Sequence, residues 1–252
     1  MMQLAHARQG GFSLLELLIA TSLASLVITG TVRIISAASE SYRIQQNLSA
    51  LQENARFGFN AMQREVTQAG YSPEPWNGAL TIAAVSPASA NGANAVSDLL
   101  VLNRWSRRNC FENDNPVSDA QGRPAWYLRQ NAFSVSAAGT LSQDCRYGPD
   151  ADSLTTQVNR QGLVNDVAAL QLQFAEDSDR DGNADHWVRA GQWQDEAGLL
   201  AVRMALLLRT PAPIRAPEQA TVGVLDADIA VPGDGHLYRL FETVASLQGR
   251  LP

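Results

Sequence analysis

The sequence contains no lysine, only two cysteines and only three histidines, and each shortage disfavours a class of function. All 19 basic residues are arginines, they face 25 acidic residues, and the formal net charge is −6. An acidic chain without a strong basic patch is not expected to bind nucleic acid in bulk. With so few histidines, no Ser-His-Asp or Cys-His catalytic set can be assembled, and no phosphate-binding loop is present. We therefore expect a protein that is not an enzyme.

The most informative feature is an apolar run that begins directly after Gly10-Gly11 and extends over residues 12–32. About 20 helical residues cross the core of a bilayer, so this run is long enough to do so. Glu16 is its only ionisable side chain. A lone carboxylate in lipid costs roughly 2–3 kcal/mol unless a partner charge neutralises it. The nearest candidate is the amine that forms if the chain is cut between Gly11 and Phe12.

Two plainer interpretations of the apolar run are open. An ordinary secretory signal has a shorter apolar run of about 7–15 residues, with a small-residue cleavage site after it. A simple membrane anchor gives no reason for Glu16. His6 and Arg8 precede the run, and this positive end is expected to stay cytoplasmic. The serines and threonines of the run can form hydrogen bonds back to the helix backbone.

The segment from Gly11 to Ala20, Gly-Phe-Ser-Leu-Leu-Glu-Leu-Leu-Ile-Ala, resembles the class III signal of type IV pilins and pseudopilins. The resemblance implies that a prepilin peptidase cuts between Gly11 and Phe12 and methylates the new amine of Phe12. It also implies that Glu16 pairs with that amine of a neighbouring subunit and sets the register between subunits. The pairing is physically reasonable, because two charges that are each costly in lipid become tolerable together.

The helical pattern continues beyond the apolar run. Apolar residues recur at three- and four-residue steps and form one stripe, namely Leu48, Leu51, Ala55, Phe59, Met62 and Val66. We predict one helix over residues 12–69, ended by Gly70, Pro73 and Pro75. The resulting organisation is a leader (1–11), a transmembrane half-helix (12–32), an amphipathic half-helix (33–70) and a periplasmic β-rich head (71–252).

After Pro75 the pattern changes to an alternation of apolar and polar residues, which is typical of strands. The alternation is clearest at residues 170–174 and 202–209. Further strand-like runs cover residues 80–85, 98–105, 125–129, 133–135, 186–190 and 237–247. The expected fold class is therefore α+β, a pilin-like fold in which a long N-terminal α-helical spine packs against a mainly antiparallel β-sheet head.

The two cysteines, Cys110 and Cys145, both fall in the expected head. An exported domain meets an oxidising environment, which favours a disulfide between them over two free buried thiols. On the chain-entropy account, such a bridge stabilises the fold by roughly 3–4 kcal/mol.

Residues 177–185 read Asp-Ser-Asp-Arg-Asp-Gly-Asn-Ala-Asp, with oxygen ligands at alternate positions and glycine at the sixth, as at the start of a calcium loop. The candidate Ca²⁺ ligands are Asp177, Asp179, Asp181, Asn183 and Asp185. The twelfth position holds Val188 where an EF-hand has glutamate, so a further acid would have to come from Glu176, Asp195 or Glu196. The alternative is a simple Asp/Gly-rich turn between two strands.

Residues 162–174, the acidic loop and residues 200–209 resemble the PilW family of minor pilins, and residues 238–247 resemble its last strand. The resemblance implies a minor pilin required for assembly or priming of type IV pili. It would be anchored in the bacterial inner membrane, with the N-terminus cytoplasmic and the head periplasmic, before it enters the pilus. Its partners would be prepilin peptidase, other minor and major pilins, the inner-membrane assembly platform and the lipid bilayer. The alternatives are a minor pseudopilin of type II secretion, a membrane-anchored periplasmic enzyme, or a filament-tip adhesin or DNA-uptake module. The last would use the acidic calcium loop and the arginines Arg104, Arg107 and Arg108.

Overall fold

The structure is a computed structural model that describes residues 12–74, 78, 80–92, 97–214 and 220–250. The expected leader, including Gly11, lies outside the described residues. The chain divides into two compact units, with the boundary between Gln46 and Asn47.

Helix α1 extends over Leu14–Gln68 and contains 55 residues, so its ends lie within two residues of the predicted ones. Its C-terminal end has a clear cause, because Gly70 follows with a φ of 77°, a left-handed conformation that glycine adopts without strain. The Gly70 N–H donates to the carbonyl oxygen of Asn103 at 2.7 Å. In the first unit nearly all side chains of α1 are exposed, and by length and composition this helix can cross a membrane.

The second unit contains two four-stranded antiparallel sheets. Sheet I has the order β1-β2-β3-β4, with strands Leu100–Ser106, Tyr127–Val135, Leu141–Gly148 and Thr155–Val164. Sheet II has the order β10-β7-β5-β6, with β5 Val167–Glu176, β6 His186–Val188, β7 Leu199–Arg209 and β10 Tyr238–Ser246. A separate hairpin is formed by β8 and β9, Thr221–Val224 and Ala227–Ala230. The α+β prediction is confirmed.

One stripe of α1 packs into the main core of the second unit, with buried residues Leu51, Ala55, Gly58, Phe59, Met62, Glu65 and Val66. Gly58 explains how the helix approaches both sheets. A Cβ atom at this position would lie 3.2 Å from Leu141 of sheet I and 3.3 Å from Leu206 of sheet II. A larger residue would therefore require the Leu141 and Leu206 side chains, or the helix, to shift by a few tenths of an ångström.

The two faces of β7 lie in different apolar clusters. Val202, Met204, Leu206 and Leu208 belong to the main core beneath α1, whereas Ala205 and Leu207 pack with residues of the β8–β9 hairpin, including Val224 and Ile229. Because both faces are buried, this strand is apolar at more positions than a simple alternation requires.

The strand predictions succeed in sheet II and are incomplete elsewhere. The predicted strand at residues 80–85 is wrong, since Val85 forms only an isolated bridge to Leu102. The two runs predicted at residues 125–129 and 133–135 correspond to the single strand β2. No pattern predicted β3, β4, β8 or β9. Most residues of β4 are exposed, so few buried positions existed there to produce an apolar period.

Candidate functional site

The first turn of α1 forms a capping box at the N-terminal segment. Ser13 Oγ accepts a hydrogen bond from the Leu15 N–H at 3.2 Å, and Glu16 Oε2 accepts one from the Ser13 N–H at 3.1 Å. The two side chains thus satisfy backbone donors that have no partner within the helix. The Ser-x-x-Glu spacing directly before an apolar run is the sequence signal for this capping box. An interpretation that considers only the charge of Glu16 overlooks this signal.

The apolar side chains around Glu16 do not shield one another from solvent. Phe12 is 91 % exposed, and Leu14, Leu18 and Ile19 are also exposed. The hydroxyl groups of this segment donate to carbonyl oxygens one turn earlier, as predicted, at Thr21, Ser22, Ser25, Thr29 and Thr31. The segment therefore presents an apolar surface on which Glu16 is the only acidic side chain before Glu40.

Cys110 and Cys145 form a disulfide with their Cα atoms 5.9 Å apart, which confirms the prediction. The bond links the segment after β1 to β3 and thereby ties a long loop onto sheet I. Asn109, next to Cys110, organises the same loop through hydrogen bonds from the Phe111 and Asn113 N–H groups to its side chain.

The acidic loop brings together three of its five candidate ligands. One carboxylate oxygen each of Asp177, Asp179 and Asp185 lies within 4.8 Å of the others. Asp177 is 5 % exposed, and its two oxygens accept hydrogen bonds from the N–H groups of Asp181 and Gly182. Asp181 lies outside this group, and its carboxylate accepts from the Asn183 N–H at 2.8 Å.

The acids considered as additional ligands are engaged in other contacts. Glu176 is fully buried and accepts hydrogen bonds from the N–H groups of Gln194 and Asp195, while its other oxygen lies 3.1 Å from His186. The Asp195 side chain caps the short 3-10 turn Glu196–Gly198 and pairs with Arg180 at 2.5 Å.

The three clustered arginines have different surroundings. Arg104 is largely buried beside Glu65. Arg107 donates hydrogen bonds to Asp119 and to the Pro124 carbonyl oxygen. Its guanidinium group stacks on Trp126, with 4.4 Å between the Arg107 Cζ atom and the ring centroid. Arg108 remains exposed. Arg107 is thus committed to contacts within the chain and Arg104 is largely buried, so the three arginines do not form one exposed basic surface.

Asp119 organises the same loop as Arg107. Desolvation raises its pKa, but hydrogen bonds from the Arg123 N–H, the Arg107 guanidinium and the Gln121 N–H outweigh this effect and hold the pKa at about 2. The carboxylate is therefore ionised under all ordinary conditions, and it keeps Arg107 in place.

Comparisons with known proteins agree with this architecture. The family described as Type IV Pilus-assembly protein W matches residues 125–249, and the prokaryotic N-terminal methylation motif matches residues 6–32. Among solved structures, a type IV-like pilin from Thermus thermophilus superposes with a TM-score of 0.54 at 15 % identity, covering 79 % of this chain and 96 % of the other. At this identity the likeness concerns the fold alone. No curated protein sequence matches the chain significantly.

The long N-terminal helix, the antiparallel sheets and the methylation motif define a type IV pilin. With the match over residues 125–249, the chain is a PilW-like type IV pilin that carries a class III signal. The signal and the apolar helix support single-pass anchoring in the inner membrane, with a globular head.

Proposed function

We propose that this protein is a minor pilin required to prime the assembly of type IV pili. It is held in the inner membrane by residues 12–32 until it joins the filament or its tip complex. The observation that carries the proposal is the exposed apolar segment of α1 with Glu16 as its one charge, within a match to the methylation motif. Because family and fold are those of pilin structural proteins, we propose that the role is not enzymatic.

The proposed mechanism depends on the pairing of two charges. Prepilin peptidase cuts between Gly11 and Phe12 and methylates the new amine, which stays positively charged. In the filament, Glu16 of one subunit pairs with the Phe12 amine of the next, so that neither charge is left alone among apolar side chains. The capping bond uses only Oε2 of Glu16, so the cap does not occupy the whole carboxylate.

The decisive variant is Glu16→Gln, because glutamine keeps the capping function and removes only the charge. We expect normal insertion and cleavage but loss of incorporation and of pili, and the same result for Glu16→Val. Pili are counted by electron microscopy, and mass spectrometry checks for N-methylated Phe12. Glu40→Gln is the matched control, since Glu40 is a partly exposed acid of the same unit paired with Arg43. Normal piliation of Glu16→Gln would refute the charge mechanism.

A minor pseudopilin of type II secretion would carry the same N-terminal signal. The match of residues 125–249 to a pilus-assembly family favours the pilus. Deletion of the protein should therefore abolish pili and leave type II secretion intact. Loss of secretion with normal pili would establish the pseudopilin role.

We further propose that the acidic loop binds Ca²⁺ through Asp177, Asp179 and Asp185, because their oxygens already lie close together. Sites of this kind outside the cell bind with roughly 0.1–1 mM affinity. Calcium at about 2–5 mM should then raise the melting temperature of the full-length protein in detergent. Asp179→Asn should abolish the rise, whereas Asp114→Asn, an exposed acid elsewhere, should retain it. An unchanged melting temperature in the unmodified protein would exclude the site.

A further inference from the structure

A second site lies in the head, where α1 and sheet I enclose a cleft of about 640 Å³, a size typical of ligand-binding sites. Its walls include the apolar side chains of Phe57, Val158 and Leu163. Its charged lining consists of Arg64, Arg104, Arg129, Glu65 and Glu112. The disulfide between Cys110 and Cys145 also lines it, so the cleft has a rigid edge.

Two of the lining guanidinium groups are buried and incompletely bonded. The side chain of Arg129 is 5 % exposed and that of Arg104 is 16 % exposed. Their Nε–H groups have no hydrogen-bond partner among the described residues. A buried donor without a partner is costly, and for a charged group the cost is larger. Desolvation by burial lowers the pKa of Arg104 more than the nearby Glu65 raises it, and the charge of Arg129 lowers it further.

The charges in the cleft do not balance. Glu65 is shared by three arginines at ion-pair distance, 3.7 Å from Arg104, 3.8 Å from Arg129 and 3.9 Å from Arg64. The Glu65 oxygen that lies nearest to Arg104 accepts a hydrogen bond from the side-chain amide of Asn131, at 2.8 Å. Glu112 is the second carboxylate of the cleft. Three guanidinium groups therefore line the cleft with two carboxylates, and Arg64 is the exposed one of the three, at 67 %.

Glu112 shows how a carboxylate is bound here. It accepts a hydrogen bond from Arg129 Nη1 at 2.5 Å, although its side chain is 59 % exposed. Its backbone has a φ of 61°, an uncommon conformation for a residue other than glycine. The Glu112 side of this contact is therefore open to solvent, whereas Arg129 is 5 % exposed.

We propose that the cleft binds an aspartate or glutamate side chain of a partner protein, which displaces Glu112 from Arg129 and also pairs with Arg104. Guanidinium groups bind carboxylates with well-defined geometry, so a carboxylate that pairs with both Arg104 and Arg129 replaces the hydrogen bond between Glu112 and Arg129. A chain of phosphates carries several negative charges, which Glu65 in the lining and the net charge of −6 disfavour more than they disfavour a single carboxylate. That the partner is another pilin rests on the proposed function, whereas the affinity for a carboxylate does not.

The test uses the purified full-length protein in detergent micelles, with ¹⁵N-labelled arginine. The probe is the peptide acetyl-Gly-Glu-Gly-amide, and the matched neutral probe contains glutamine. We expect the glutamate peptide to shift the Nε–H signals of Arg104 and Arg129, and the glutamine peptide to leave them unchanged. Equal responses to both peptides, or no response to either, would overturn the proposal.

Two variants give opposite expectations. Glu112→Gln removes the competing carboxylate and should tighten binding of the glutamate peptide by about tenfold, whereas Arg104→Gln should weaken it by about tenfold or more. Arg203→Gln, on sheet II, should have no effect. Since Glu112 is exposed, its variant should fold even if Arg104→Gln does not. Unchanged affinity in Glu112→Gln would contradict the displacement, and binding of a dT₁₀ oligonucleotide in place of the peptide would assign the cleft to nucleic acid.

The outcome is separable from the pilus assay. If the peptide binds as expected but Glu16→Gln forms normal pili, the carboxylate site stands and the assembly mechanism fails. If Glu16→Gln abolishes pili and the peptide does not bind, the assembly mechanism stands and the carboxylate site is refuted.

Discussion

Helix α1 carries two carboxylates among apolar side chains, Glu16 near its start and Glu65 near its end, and they are stabilised in different ways. Glu65 is 4 % exposed and has Asn131 and three guanidinium groups around it. Glu16 is exposed, and its contact among the described residues is the capping bond to Ser13. The comparison teaches that the head supplies the charges that its buried acid needs, whereas the N-terminal segment supplies only a cap.

The strongest way to test the comparison is to remove the charge of the buried acid. Glu65→Gln leaves Arg104 and Arg129 buried with much less compensation, so the free energy of unfolding should fall by about 3–5 kcal/mol. Denaturant titration of the full-length protein in detergent measures it. Glu53→Gln is the control, because Glu53 pairs with Arg56 in an exposed contact and should change the free energy by less than about 1 kcal/mol. Equal effects of the two substitutions would contradict the comparison.

Loss of the disulfide should have the next largest effect on stability, because this bond keeps the loop with Glu112 beside the arginines of the head. It closes a loop with a sequence separation of 35 residues. Replacing both Cys110 and Cys145 by serine should lower the free energy of unfolding by about 3–4 kcal/mol. A reducing agent should have the same effect on the natural protein and none on the double variant. If reduction leaves the unfolding transition unchanged, the loop is held by its polar contacts alone.

Asp98 is another buried carboxylate of the head, and burial has the largest effect on its pKa. It accepts hydrogen bonds from the Gly92 and Leu172 N–H groups, both at 2.7 Å. Burial nevertheless raises its pKa to about 6 from an ordinary value of 3.8. The stability that the protonated group contributes is thus fully present below about pH 4 and is lost as the pH rises through about 6.

The corresponding experiment measures the free energy of unfolding between pH 4 and pH 7. We expect the natural protein to lose about 1–2 kcal/mol relative to Asp98→Asn over this range, less than the full shift implies because relaxation and water penetration around a buried charge reduce its cost. Asp119 has a pKa of about 2, so its effect on stability depends on pH in the opposite direction. The stability that its ionised carboxylate contributes is lost only as the pH falls below about 4. A difference between the natural protein and Asp98→Asn that does not vary with pH would show that Asp98 is ionised throughout.

The N-terminal segment could be predicted from the sequence because its properties are local. A run without charge, a glycine pair before it and one glutamate are all visible within residues 10–32. Sheet II was predicted for a similar reason, since the alternation at Val202, Met204 and Leu206 reflects one buried face. Local patterns of this kind need no knowledge of what lies across the fold.

The arginine cleft could not be predicted in this way. Glu65 lies on the same helix face as Met62, where the pattern predicts an apolar residue, but nothing local indicates that Arg104 and Arg129 will meet it. Those arginines come from β1 and β2, and their pairing with α1 depends on contacts between distant parts of the chain. Strand β4 was missed because its exposed residues carry no apolar period.

The smallest expected effect is at Glu16 itself. Glutamine can retain the capping bond to Ser13, and no other charge of the described chain neutralises Glu16, so Glu16→Gln should change the free energy of unfolding of the head by less than about 0.5 kcal/mol. The same denaturant titration that detects the loss at Glu65 measures it. A loss at Glu16 comparable to that at Glu65 would mean that the N-terminal carboxylate already has a partner within its own chain. In that case the charge would serve folding, and the need for a second subunit to neutralise it would disappear.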